Sequence, residues 1–172
     1  MNICQYITLA EATKSQQATR LGLSNQPNAE ELSNMQYLGT QIFDKLRKAM
    51  HDKYGKPLAV SSFFRSAEVN KAIGGASTTS QHCTGEAMDI DADIFGGPTN
   101  KEVFDWIRAN CTFDQLIFEF GTKDNPDWVH VSLKRSGKNR MQVLRAIKEG
   151  GKTKYIPYNG ENRGNHRQSH WR

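Results

Sequence analysis

Apolar residues Leu32, Met35, Leu38, Ile42, Leu46 and Met50 recur at steps of three and four. This spacing predicts a helix from about Ala29 to His51 with one buried face. Met35 and Met50 fall on that stripe and read as core residues, since the flexible thioether fills gaps between other side chains. Upstream, Thr8-Leu9-Ala10-Glu11 has the form of a capping box and predicts a short first helix. Downstream, Leu58 to Phe64 reads as a strand, and Ser66 as the N-cap of a brief helix carrying Val69 and Ile73 that Gly74-Gly75 ends. A polar loop from Ala76 to Gln81 leads to a strand at Ala87–Asp91, then to a helix from Asn100 to Asn110 capped by Thr99. Further strands are expected at Gln115–Phe120, Trp128–Leu133 and Met141–Ile147. Helices come early and strands late, which predicts an α+β domain whose mostly antiparallel β-sheet is covered by helices on one face.

At 172 residues and a mean hydropathy of −0.70, the chain has the size of one domain, or of one domain with a tail. A domain of that size folds without a metal or disulfide framework, so a metal site in it is read as functional. Cys4, Cys83 and Cys111 cannot all pair with one another and are expected as free thiols. The first ten residues lack a basic stretch followed by an apolar one, and no run of about 18 apolar residues occurs anywhere. The expectation is a chain made in a cytoplasm without a secretory signal or a transmembrane segment.

Charge changes the picture. Residues 1–133 carry 12 basic and 16 acidic groups, whereas residues 134–172 carry 11 and 2. With Gly150-Gly151 opening a Gly-, Asn- and Lys/Arg-rich end, the reading is a domain at 1–148 and a basic tail at 149–172. Such a tail suits an anionic partner, either an acidic cell-wall polymer or nucleic acid, or is simply a solvated segment. Tyr155, Tyr158 and Trp171 among its basic groups could stack on glycans or bases, but the nucleic-acid reading rests on this tail alone.

Of the five histidines, His82 and His130 stand out. His82 ends the polar loop, Asp89 follows seven residues later with the small Gly85 and Ala87 between, and His130 sits in another expected strand. Two imidazoles and one carboxylate can supply the three ligands of a catalytic zinc site that keeps a fourth position for water. Asp89-Ile90-Asp91-Ala92-Asp93 fails as a calcium loop, because the sixth and twelfth positions are Ile94 and Asn100 rather than Gly and Glu. Asp91 and Asp93 read as supporting or exposed groups. Cys83 is not needed once Asp89 completes the set, His51 closes a helix where a cation is welcome, and His166 and His170 lack the Glu of a zincin motif.

Ser62-Phe63-Phe64-Arg65-Ser66, Asn70, Gly74-Gly75 and Ser80-Gln81-His82-Cys83-Thr84-Gly85-Glu86-Ala87-Met88-Asp89 resemble the signature of the D-alanyl-D-alanine carboxypeptidase-like metallopeptidases, the peptidase M15 family. Phe113 to Phe120 and Asp127 to Ser132 resemble that family's second half, so the resemblance runs from about Tyr6 to Ile147, nearest to the branch with phage endolysins. It implies the hedgehog/D,D-peptidase-like fold and one zinc ion held by His82, Asp89 and His130. It also implies Asp127 as general base, Arg65 stabilising negative charge on the scissile carbonyl, and Ser80 lining the substrate subsite. The implied substrate is bacterial peptidoglycan, cut at a stem-peptide bond by an enzyme released onto the cell wall during phage lysis. Whether it acts as an endopeptidase or a carboxypeptidase stays open.

Residues three apart on a regular strand point to opposite faces, which sets Asp127 against His130. Pro126 would ease the conflict by delaying the strand, and Glu119 is the competing base. A non-catalytic zinc-containing wall-binding or virion protein of the same fold is the rival reading.

Overall fold

The structure, a computed structural model, describes residues 1–74, 77 and 79–159. Short helices α1 (Leu9–Ala12) and α2 (Gln16–Leu21) precede α3 (Ala29–Leu38) and α4 (Asp44–Tyr54). Strand β1 (Ala59–Ser62) and helix α5 (Ala67–Ile73) lead into β2 (Ala87–Asp91). Helix α6 (Asn100–Asn110) is followed by β3 (Gln115–Glu119), β4 (Trp128–Ser132), β5 (Gln142–Glu149) and β6 (Lys152–Pro157). The strands form one sheet in the order β1-β2-β4-β3-β5-β6, antiparallel throughout except for the β3–β5 pair. The α+β architecture with a mostly antiparallel sheet is as the sequence predicts.

Local chemistry sets the helix ends. Thr8 with Glu11, Asn28 with Glu31 and Thr99 with Glu102 form reciprocal capping boxes, each satisfying two backbone N–H groups that would otherwise lack partners. Ser66 Oγ accepts from Val69 N–H at the start of α5, and Gly74 ends that helix at φ +70°. The second glycine of the expected stop, Gly75, lies outside the described residues. The long helix expected over 29–51 is present but interrupted, because a π-helical turn at Gly39–Phe43 joins α3 to α4. Its i→i+5 bonding takes in one extra residue, and Met35, Leu38, Ile42, Phe43 and Leu46 all stay buried.

Side chains alternate across the sheet. Met88 and Ile90 of β2, Leu116 and Phe118 of β3, and Val129 and Val131 of β4 point to one face, where they join Met35, Leu38, Ile42, Val103, Phe104 and Ile107 in a single core. Burying a side chain of this kind contributes about 1.5–3 kcal/mol. The opposite face is left open.

The expected boundary at 148/149 falls inside the β5–β6 hairpin, so residues 152–158 do not form part of a free tail. Arg145 to Glu149 pair with Ile156 to Lys152 in unbroken antiparallel register. Beyond the strand, Tyr158 is buried, its ring 4.8 Å from that of Phe104 and 5.6 Å from that of Phe118. Sequence reading missed this because β6 is an edge strand that buries little except Ile156. The rest of the basic end, with His166, His170 and Trp171, lies outside the described residues.

The parallel β3–β5 pair is anchored at its start by Asp114, a fully buried carboxylate. Arg140 donates to it from its backbone N–H at 2.9 Å and from its guanidinium at 3.0 and 2.7 Å, and Gln81 Nε2 donates at 3.1 Å. Burial alone would push the Asp114 carboxyl up, but these donors and the Arg140 charge more than offset it and hold the pKa at about 2. Because folding lowers this pKa, the stabilisation is complete above the ordinary Asp value near 3.8 and is lost as pH falls through about 2. Arg140 is half exposed, so the contribution is discounted to about 1–2 kcal/mol. Urea unfolding across pH 5 to 2 should show an acid-dependent loss of that size, and Asp114→Asn should flatten it.

Candidate active site

The open face of the sheet carries the chemistry. Asp89 of β2 lies directly opposite His130 of β4, and His130 lies opposite Ile117 of β3. This register places both predicted ligands side by side. His82 arrives from a 3-10 turn, Gln81–Thr84, that immediately precedes β2. Ser80 Oγ accepts from His82 N–H at 3.3 Å, so Ser80 shapes the turn as well as lining the cleft.

Gly85 closes the turn at φ +76°, and a Cβ there would sit 2.4 Å from Glu31 O and 2.8 Å from Met35 Cγ. Only glycine permits both the backbone conformation and the close approach of α3.

His82, Asp89 and His130 each offer a ligand atom, and these atoms all lie within 4.8 Å of one another. His82 Nε2 is 3.5 Å from Asp89 Oδ2, His130 Nδ1 is 3.0 Å from Asp89 Oδ1, and the two rings are 5.2 Å apart. His82 Nδ1 lies 2.7 Å from Phe63 O. A carbonyl can only accept, so Nδ1 carries the proton and Nε2 keeps its lone pair for a metal. Burial works against charge on Asp89, but the two imidazoles outweigh it and hold the carboxyl well below the usual range. Two nitrogens and one anionic oxygen, with one histidine oriented by a backbone carbonyl, fit a zinc ion. Cys83 is not in this group, and burial raises its thiol. Asp91 accepts from Asp93 N–H and from Asn100 Nδ2, which makes it a turn cap.

A cleft of about 890 Å³ extends from these residues across the open face, over Ile117 and Leu144. Arg65 lines it beside His82, whose carbonyl accepts from Arg65 N–H at 3.2 Å. The Arg65 Nε is buried without a hydrogen-bond partner among the described residues. An orphaned charged donor at a cleft wall is costly unless a ligand completes it.

The two candidate bases part company here. Asp127 precedes β4, is exposed, and is not among the residues lining the cleft. Its backbone is pinned there, with N–H donating to Glu119 O and C=O accepting from Asn100 Nδ2. Asp127 thus sits in the turn entering β4, one residue before the alternation that puts His130 into the cleft begins. Glu119 shares the face of Ile117, lines the cleft and is 6% exposed. Burial, with Asp89 adding and His130 opposing, pushes its carboxyl up to about 7. The cleft residues beyond the ligands include Gln115 and Phe120, from the segment that carries the resemblance, Tyr155, one of the aromatic residues of the basic end, and Leu144, Lys148 and Thr153, which the sequence did not single out. Only the strand register brings them together. Burial also raises the Tyr155 phenol, with Glu119 and Asp89 contributing.

Three side chains able to hold a metal ion, on the same cleft as a carboxyl raised toward neutrality, are the parts that a metal-assisted hydrolase needs. A model of the family described as peptidase M15 matches residues 5–132, more than half of the chain, and the chain belongs to the peptidase M15 family. No match was found among curated proteins. The matched segment ends at Ser132, the last residue of β4, so it includes all three ligands, Arg65 and Glu119 but neither β5 nor β6.

Zinc titration should give one tight site, with His82→Ala and His130→Ala each weakening it by more than about 100-fold, beyond the usual cost of losing an outer-shell partner. Gly85→Ala should lower unfolding stability by more than about 1 kcal/mol and weaken zinc binding as well, because the strained turn carries His82. Calorimetry and urea denaturation would read both.

Proposed function

We propose that this chain is a zinc-dependent peptidase that hydrolyses a peptide bond in the stem peptides of bacterial peptidoglycan, acting as a phage lysis enzyme. Family membership supports the peptidase class. The observation that carries the reading is the convergence of His82, Asp89 and His130 at one end of an open cleft, with Glu119 beside them. His82 Nε2, the Asp89 carboxylate and a His130 ring nitrogen would hold the ion. Zinc in such a site polarises a carbonyl and brings the acidity of water to about pKa 7.

The protein's own residues do the rest. Glu119 takes the proton of the attacking water and hands it to the leaving amine, a role that needs a carboxyl titrating near the working pH. Its burial raises the carboxyl in that direction. In this reading Asp127, exposed ahead of β4, takes no part in the proton transfer. Arg65 brings a permanent charge and an unsatisfied donor to the developing oxyanion, where a fixed donor stabilises the transition state more than the ground state. The substrate lies across the strands, over the apolar floor of Ile117 and Leu144. Action on the wall after release from the host cytoplasm, with the basic C-terminal end drawn to anionic wall polymers, completes the proposal.

Amine release from purified cell wall tests it. Activity should vanish on chelation and return with zinc. Glu119→Gln should keep zinc and lose about 10²–10⁴-fold in kcat, whereas Asp127→Asn should stay within about twofold on the same logic. Zinc binding with no amine released would instead assign a non-catalytic wall-binding protein.

A further inference from the structure

The end of β3 is built against local preference. Phe120, the residue after Glu119, has φ +55°, a conformation that bulky side chains rarely adopt. It is held by its N–H donating to Ala146 O at 3.0 Å and by Gly121, where a Cβ would lie 2.2 Å from Asn125 O. The result is an aromatic ring on the cleft wall, 5.5 Å from the ring of Trp128. Strain of this kind clusters at ligand-binding sites, because elsewhere a smaller residue would relieve it.

Lys148 of β5 sits over that ring with Nζ 5.2 Å from its centroid, and donates to Thr153 Oγ1 of β6 at 3.0 Å. The ring face and the hydroxyl fix the ammonium, yet no carboxylate among the described residues pairs with it. Tyr155, more than half exposed, lines the same stretch of cleft. A preoriented cation without an anion, beside a phenol, is the receiving half of an ion pair.

We propose that Lys148, Thr153 and Tyr155, with Phe120 behind them, form a distal subsite for a carboxylate borne by the substrate several residues from the bond that is cut. The inference rests on the peptidase reading above and names what this part of the cleft selects. Lys148 is two strands from His130 and four residues along from Leu144, the residue aligned with Ile117 and His130. Strand spacing and rise make that roughly 16 Å between Cα atoms. An extended peptide covers that span in about four to five residues, fewer once the lysine side chain reaches toward it. The ligands therefore set where hydrolysis occurs, and the β5–β6 hairpin selects a peptide with an acid at the right remove.

The test uses the full chain loaded with zinc and two stem peptides, identical except that one carries free carboxylates and the other their primary amides. Binding is read by calorimetry on Glu119→Gln, and hydrolysis on the enzyme with Glu119 intact. The free acid should bind about tenfold more tightly than the amide, as a charge-assisted contact requires. Lys148→Met should bring that ratio close to one, with zinc stoichiometry and affinity for the amide unchanged, and Tyr155→Phe should reduce it in part. Equal binding of the two peptides, a ratio unchanged in Lys148→Met, or failure of both to bind overturns the subsite. Acid-selective binding without hydrolysis of either peptide overturns the peptidase reading and leaves the subsite in place.

Discussion

Asp89 and His130 face one another across the β2–β4 ladder, and that single register decides what the sheet can do. Side chains in a strand alternate, so a one-residue slip of either strand would turn its own candidate ligand toward the apolar core and bring Met88 and Ile90, or Val129 and Val131, to the open face. The energetic cost of such a slip is large, because those apolar residues are fully buried against helices α3, α4 and α6. Packing on one face thus fixes the chemistry on the other. The candidate ligands need no stabilising role of their own to be held in place, because the apolar core behind them holds a carboxylate between two imidazoles.

Where an element is defined by short-range chemistry, its residues could be read directly. Thr99 and Glu102 mark the start of α6, Ser66 marks α5, and β2 runs from Ala87 to Asp91 as its apolar alternation predicts. The trio came mainly from the family resemblance of the segments around His82, Asp89 and His130, and these three side chains do converge into a group that could hold a metal ion. The π turn at Gly39–Phe43 was not legible, since apolar steps of three and four continue through it. Nor was β6, whose residues are mostly exposed and whose pairing depends on a turn at Gly150-Gly151 that also looks like the start of a tail.

The choice between the two candidate bases shows the limit most clearly. Glu119 and Asp127 are both acidic residues near the ends of strands, and nothing local distinguishes them. Their difference follows from alternation combined with register: Ile117 opposite His130 puts Glu119 on the ligand face, while Asp127 lies ahead of β4 with its backbone tied to Glu119 and Asn100. Asp127 lies one residue ahead of β4, so the strict alternation of the strand begins only after it. Burial then raises the Glu119 carboxyl above its ordinary range.

The strand order has a consequence for the integrity of the chain. The segment matching the family ends with β4, yet β3 sits between β4 and β5 in the sheet. A chain cut after Ser132 would keep every ligand but bare the outer margin of Leu116, Ile117 and Phe118, a row of unpaired amides flanked by apolar side chains. Such a margin recruits strands from other molecules and seeds aggregates. The last two strands therefore act as a seal: without them the ligand-bearing core would be sticky before it could be active.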